Sequence, residues 1–278
     1  MAPSSSGPGR WPFTPEIAGS NPAGVTIKLC VLLFKLFFAI SLLFISLACN
    51  YFFVEDDSST DTSIIINSEI QPLEYYSKGL EFGRAGNYTE SINYLSVAIS
   101  YEINVSKSYF YRGLNYYNLN LFEDAIIDYT NAILLDPEYK EAYFNRAVAY
   151  SELDNLLESV KDYSKAIRID PTYKKAYSYK ALAHYKMQEF DKAVSDLTSV
   201  IYLDQNDASA YLYRGLNYYN LELYADALND YSKAIYLDPY YADAYYNRSL
   251  IYGILGQTDF DKQDSDKACS IEPSLCIR

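Results

Sequence analysis

Histidine occurs once in this chain of 278 residues, tryptophan once, methionine twice and cysteine four times. A single histidine excludes most zinc sites and catalysis that depends on imidazole. Basic residues are scarce as well: 23 Lys and Arg face 36 Asp and Glu, a formal net charge of −13. Such a chain is a poor match for a phosphate backbone, so no nucleic-acid partner is expected. There is no Gly-rich phosphate loop, no Ser/His/Asp set and no Cys/His set. The carboxylates are spread along the chain rather than grouped as metal ligands, so no metal, cofactor or small-molecule substrate is expected. A carboxylate-based enzyme stays as a remote alternative, because no pair of acids is visibly positioned. An apolar fraction of 50% rules out a wholly disordered chain.

Tyrosine is what the chain has in excess. There are 32, and all but Tyr51 lie between Pro72 and Leu275. A repeat accounts for them. Tyr211-Leu-Tyr-Arg-Gly-Leu-Asn-Tyr-Tyr-Asn-Leu221 nearly copies Tyr109-Phe-Tyr-Arg-Gly-Leu-Asn-Tyr-Tyr-Asn-Leu119, at an offset of 102, three times 34. Counting 34 from Pro72 gives six gapless units: 72–105, 106–139, 140–173, 174–207, 208–241 and 242–275. The fourth residue is always tyrosine (Tyr75, Tyr109, Tyr143, Tyr177, Tyr211, Tyr245). The eighth is always small (Gly79, Gly113, Ala147, Ala181, Gly215, Ser249). Pro137, Pro171, Pro239 and Pro273 close four of the six units.

Spacing within a unit is helical. Tyr109, Gly113 and Tyr116 share one face, and Ala125, Tyr129 and Ala132 share another. Asn120-Leu-Phe122 marks the turn between them, and Asp136-Pro137 a stop. The small Gly113 and Ala132 are expected to let two helix backbones approach. One hairpin cannot bury its apolar face alone, so neighbours must stack. Unit six carries Thr258, Asp261 and Ser265 where other units are mostly apolar, and reads as a polar end cap. Unit one departs through Ser91 and Ile103.

A charge pattern shares the period. The seventh residue is basic (Lys78, Arg112, Arg146, Lys180, Arg214, Arg248) and the twenty-third is acidic in five units (Asp128, Asp162, Asp196, Asp230, Asp264). The matched rows predict partly buried ion pairs between packed helices. A row gripping an acidic ligand is the alternative. His184 stands in a core tyrosine position and is expected to be a packed ring.

The pattern of unit two, Tyr109, Gly113, Tyr116, Ala125, Tyr129 and Pro137, resembles the tetratricopeptide repeat family, and the resemblance covers 204 of 278 residues. It implies an all-α fold: a right-handed superhelical solenoid of six helix-turn-helix units with a concave groove. It also implies that the fifth, ninth, twelfth and thirteenth residues of each unit face the groove. On that basis the candidate partner-binding residues are Tyr76, Phe110, Phe144, Tyr246, Tyr117, Asn118, Tyr185, Tyr219 and Asn220. Aromatic rings with hydroxyl and amide tips suit a peptide or a helix. The alternative for any one of them is packing against the next unit. The Lys and Asn clamp with which relatives hold chaperone tails is missing, since Tyr76 with Leu80 and Phe110 with Leu114 occupy its places.

Ahead of the repeats the chain changes character. Residues 36–54 carry no charge, and nineteen helical residues span about 29 Å, enough for a bilayer core. Residues 27–35 form a short basic flank with Lys28 and Lys35; residues 55–71 are a polar linker that opens with Glu55, Asp56 and Asp57. The charge step predicts an anchor in the membrane with the repeats on the extracytoplasmic side. The same run also reads as a cleaved signal, or as a bacterial lipoprotein signal ending Ser46-Leu-Ala-Cys49, which would make Cys49 the lipidated residue of a surface lipoprotein in envelope assembly. An organelle import or cochaperone receptor would require the repeats in the cytosol instead. Cys269 and Cys276 could pair across the terminal turn outside the cytoplasm, or Cys269 could merely fill an apolar position. Residues 1–26 hold five of the ten prolines and the only tryptophan, with no Leu, Lys or Tyr. They read as a transfer-RNA gene translated from a misplaced start, which implies a prokaryotic source, or else as a Pro/Gly/Ser tail. The function expected is non-catalytic: a membrane-anchored scaffold for a protein or peptide partner.

Overall fold

The computed structural model describes residues 71–276; the expected anchor over 36–54, Cys49 and the segment 1–26 lie outside them. Among the described residues, regular structure is entirely helical, and no helix is long and apolar enough to cross a membrane. Six hairpins follow in strict phase. They are α1 Pro72–Arg84 with α2 Tyr88–Ser100, α3 Val105–Asn118 with α4 Phe122–Leu135, and α5 Lys140–Glu152 with α6 Leu156–Ile169. Then come α7 Lys174–Lys186 with α8 Phe190–Leu203, α9 Ala208–Asn220 with α10 Tyr224–Leu237, and α11 Ala242–Ile254 with α12 Thr258–Ile271. Every even-numbered helix begins at the seventeenth residue of its unit. The twelve helices stack as a solenoid, each packing on its hairpin partner and on the following helix.

Both turns of the unit have a local cause. Within each hairpin the fifteenth residue is left-handed: Gly86, Asn120, Asp154, Gln188, Glu222 and Gly256 all have φ between 59° and 81°. Glycine tolerates this without cost, whereas Gln188 and Glu222 hold it against the steric penalty of a Cβ. Between hairpins, an aspartate caps the finished helix and turns the chain. Asp136, Asp170, Asp204 and Asp238 each accept a hydrogen bond on Oδ1 from the backbone N–H two residues on, at 2.9–3.2 Å. Unit one lacks this device. Its connection instead passes through left-handed Glu102 and Asn104, and α3 starts one residue early, at Val105.

The small eighth residue makes room for a ring. A Cβ on Gly113 would sit 2.9 Å from Tyr129, and one on Gly215 would sit 2.7 Å from Tyr231. Sequence reasoning expected two backbones to meet there; what enters the gap is the twenty-fourth side chain of the same unit. Tyr129, Tyr163 and Tyr231 are fully buried in this way, each worth about 1.5–3 kcal/mol of apolar burial. Their hydroxyl pKa values are raised by that burial.

The expected ion pairs form in all five units that carry both residues. Arg112 donates to Asp128 from Nε and Nη2 at 2.7 and 2.8 Å, and Arg146 to Asp162 at 2.7 and 2.9 Å. Arg214 with Asp230 and Arg248 with Asp264 repeat the fork. The remaining Nη1 reaches back to a hydroxyl of the preceding unit: Ser96, Thr130, Thr198 or Ser232, at 2.8–3.2 Å. Each guanidinium also lies over the fourth and eleventh tyrosines, such as Tyr109 and Tyr116 around Arg112. Burial pushes the Asp128 and Asp230 carboxyls up, and the paired arginine pulls them back. In unit four Lys180 supplies one bond to Asp196, at 2.9 Å, and His184 Nδ1 supplies the second, at 2.8 Å. The one histidine is therefore a buried ring that replaces half of a guanidinium fork.

Unit six is the last unit among the described residues. Ser265 and Asp261 are half-buried on α12, which no later hairpin covers among the described residues, and Cys269 is disulfide-bonded to Cys276 after that helix.

Three outcomes follow from these contacts. Glu222→Gly should raise unfolding free energy by about 0.5–1 kcal/mol, read from the urea midpoint, because relief of the left-handed strain outweighs the added chain entropy. Asp162→Ala should cost about 3 kcal/mol by leaving Arg146 half-buried and unpaired, whereas the double variant Arg146→Met with Asp162→Leu should lose clearly less. The third concerns acid. Lys140, at 2.6 Å, and Thr172 hold the Asp170 carboxyl down at about 2. A depressed carboxylate contributes stability that is present above its unfolded value and lost as pH falls through the folded one. Circular dichroism should show that Lys140→Met flattens the loss of stability between about pH 4 and pH 2.

Candidate functional site

Odd-numbered helices form one face of the solenoid. α1 lies against α3, α3 against α5, α5 against α7 and α9 against α11, and no comparable pairing links successive even-numbered helices. The fifth, ninth, twelfth and thirteenth residues of every unit lie in these helices, and they differ in what they show to solvent.

Phe110 and Phe144 are core rings. They are 7% and 5% exposed, and each is enclosed by three tyrosines. Phe110 packs on Tyr111, Tyr129 and Tyr139, with centroids 4.8–5.9 Å away. Phe144 packs on Tyr163, Tyr173 and Tyr179 at 5.2–5.6 Å. They stabilise the junction of two units and offer almost no surface to a ligand. The reason is the thirty-fourth residue, Tyr139 or Tyr173, which folds over them from the turn into the next helix. The recurrence of tyrosine there was readable in the sequence, though its consequence was not. Tyr76 and Tyr246, the same position at the two ends of the array, stay half-exposed. Tyr76 meets Tyr111 edge-on at 6.4 Å.

The twelfth and thirteenth residues make the polar part of the face. Tyr117, Tyr185 and Tyr219 each lean on the aromatic five residues later: Phe122 at 5.4 Å, Phe190 at 5.6 Å and Tyr224 at 6.0 Å. The Tyr117 hydroxyl donates to Glu152 Oε1 of the next unit at 3.2 Å. Tyr185 shares a hydrogen bond with Asn220, also of the next unit. Burial and then the Glu152 charge raise the Tyr117 hydroxyl pKa; burial raises that of Tyr185, tempered by Asn220. Asn118 and Asn220 are exposed, and each donates from Nδ2 to the carbonyl one turn back, Leu114 at 2.8 Å and Leu216 at 2.7 Å. Sequence reasoning missed Tyr111 and Tyr179, sixth residues that wall the same face. Both recur in the register of Tyr213, so the period itself carried the signal.

Chemically this face can stack on rings and offer amide and phenol groups to a backbone. Among the described residues no group of His, Cys, Asp or Glu is placed to hold a metal ion.

Models of the tetratricopeptide repeat match residues 106–139, 141–173 and 180–252, together about half of the chain. The chain belongs to the tetratricopeptide repeat family. No curated protein matches it in sequence. Solved structures share the fold. A MamA protein is 23% identical with a TM-score of 0.58, over 60% of this chain and 92% of that one. YrrB, described as a TPR protein with an unusual peptide-binding site, is 23% identical with a TM-score of 0.58, over 66% and 95%. A tetratricopeptide repeat protein from Parabacteroides merdae ATCC 43184 is 19% identical with a TM-score of 0.62, over 72% and 79%.

Proposed function

We propose that this protein is a non-catalytic scaffold that holds a polypeptide partner on the face formed by α1, α3, α5, α7, α9 and α11. The observation that carries the reading is the row of half-exposed rings along that face, Tyr76, Tyr117, Tyr185, Tyr219 and Tyr246, with Asn118 and Asn220 between them. Rings with polar tips offer contact area at small entropic cost and pair with peptide groups. Membership of a family whose relatives bind proteins and peptides supports it, as does the peptide-binding site described for YrrB.

The scaffold is held to a membrane by residues 36–54, with the repeats on the extracytoplasmic side. Lys28 and Lys35 before the uncharged run and four acids shortly after it support that orientation. The Cys269–Cys276 disulfide supports the same side, because such bonds persist in oxidising compartments.

Photo-crosslinking in native membranes tests the face. A benzophenone amino acid at Tyr76, Tyr219 or Tyr246 should give a discrete crosslinked partner, and one at Tyr202 or Tyr236 on the even-numbered helices should give none. The reverse pattern would refute the assignment. Protease added to intact cells should digest the repeats; full protection would place them in the cytosol and remove the orientation.

A further inference from the structure

The inner face is interrupted in unit one. Where Tyr117, Tyr185 and Tyr219 stand in other units, unit one has Gly83, and a cleft of about 190 Å³ opens between α1 and α3. Leu80, Gly83, Tyr111 and Leu114 wall it together with Arg84, and Asn115 and Asn118 line it from α3. This is below the roughly 300–1,000 Å³ of pockets that enclose a drug-sized ligand, so its scale is that of one side chain.

We infer that the cleft receives one tyrosine side chain of a bound polypeptide, which completes the row that Gly83 leaves open. The protein itself shows the geometry. Tyr185 spans from its own helix to Asn220 in the next unit, and Asn220 is anchored through Nδ2 to the carbonyl one turn back. Asn118 is anchored in the same way, to Leu114 at 2.8 Å, so its Oδ1 is presented to the place a twelfth-position phenol would reach. Deeper in the cleft, Asn115 donates from Nδ2 to Ser91 Oγ at 2.7 Å, and Ser91 donates to the Gly79 carbonyl at 2.6 Å. The Asn115 side chain is 5% exposed, and its Oδ1 accepts no hydrogen bond among the described residues. That oxygen faces Gly83, 3.0 Å from where a Cβ would be. An acceptor that opens into the cleft and takes no protein donor, beside largely apolar walls, favours a ring that carries a hydroxyl over a plain one.

Two other units also lack the tyrosine, yet their gaps are filled from within. In unit three the Ser151 hydroxyl is taken by Ser159 at 2.6 Å, and Tyr179 leans across to Tyr163. In unit six the Asp261 carboxylate lies 3.2 Å from the Cβ position of Gly253. Of these three gaps among the described residues, the one at Gly83 is left open, with Leu80, Tyr111 and Leu114 as its apolar walls, Arg84 also lining it and the Asn115 acceptor facing it.

The inference rests on the proposal that the inner face binds polypeptide, and a small phenol tests it separately. The full-length chain in detergent, carrying 15N-glycine and 15N-asparagine, would be titrated with N-acetyl-L-tyrosinamide and with N-acetyl-L-phenylalaninamide. Saturable shifts are expected at Gly83, Asn115 and Asn118, with the tyrosine amide bound about three- to tenfold more tightly, the value of one hydrogen bond. Gly83→Tyr should abolish the shifts at Asn115 and Asn118. Its Cβ is tight against Asn115 and Ser91, so Asn118→Ala, at an exposed site, is the second variant and should erase much of the preference for tyrosine. Absence of saturation, equal binding of the two amides, or shifts unchanged by Gly83→Tyr would overturn the inference. A crosslinked partner with no response to tyrosinamide would sink the cleft and leave the scaffold standing; saturation without any crosslink would do the opposite.

Discussion

The ion pair between the seventh and twenty-third residues is the contact on which this architecture depends. A bare carboxylate or guanidinium in a helical core is costly, and a fork of two charge-assisted bonds makes the pair tolerable. In this protein the third nitrogen reaches a hydroxyl of the preceding unit, so one side chain joins both helices of a hairpin and the hairpin before it. Two tyrosines flank each guanidinium and shield it from water. The identical connection at Arg112, Arg146, Arg214 and Arg248 sets the same register at each of these junctions. Unit four shows how strict the requirement is. With Lys180 in place of arginine, Asp196 would keep one donor, and His184 provides the other.

Once register is set, the fate of each ring follows from its neighbours. The twenty-fourth tyrosine enters the space left by a glycine or alanine at the eighth position, and the thirty-fourth folds over the fifth. On the odd-numbered helices the twelfth and thirteenth residues and the two terminal members of the fifth row remain at the surface; Tyr202, Tyr236 and Tyr240 are exposed elsewhere. The phenols and amides along the odd-numbered helices are thus one part of the tyrosine excess that packing does not consume. Gly83 interrupts their row at one place, where a mostly apolar cleft opens and the Asn115 amide oxygen faces it.

Much of this was legible in the 34-residue period. Helix starts, the stop at Asp136-Pro137, the ion-pair rows, the ring at His184 and the polar last helix all follow from local chemistry that each unit repeats, and local chemistry can be read along a chain. The left-handed fifteenth residue was not legible, because glycine holds it in only two units and Glu222 or Gln188 gives no hint of positive φ. Nor could Phe110 be told from Tyr76. Both are fifth residues, and they differ only in whether Tyr139 closes over one of them.

The sequence by itself determined the fold family, the number of hairpins, their phase and the pairing of charges, since each depends on residues that recur at helical spacing within one unit. The tertiary structure alone decided which rings are core and which are surface, that Cys269 meets Cys276, and that the missing side chain at Gly83 leaves a cleft while those at Ser151 and Gly253 do not. Those outcomes depend on contacts between units, where an atom three or four ångströms away in space belongs to a residue dozens of positions away in the chain.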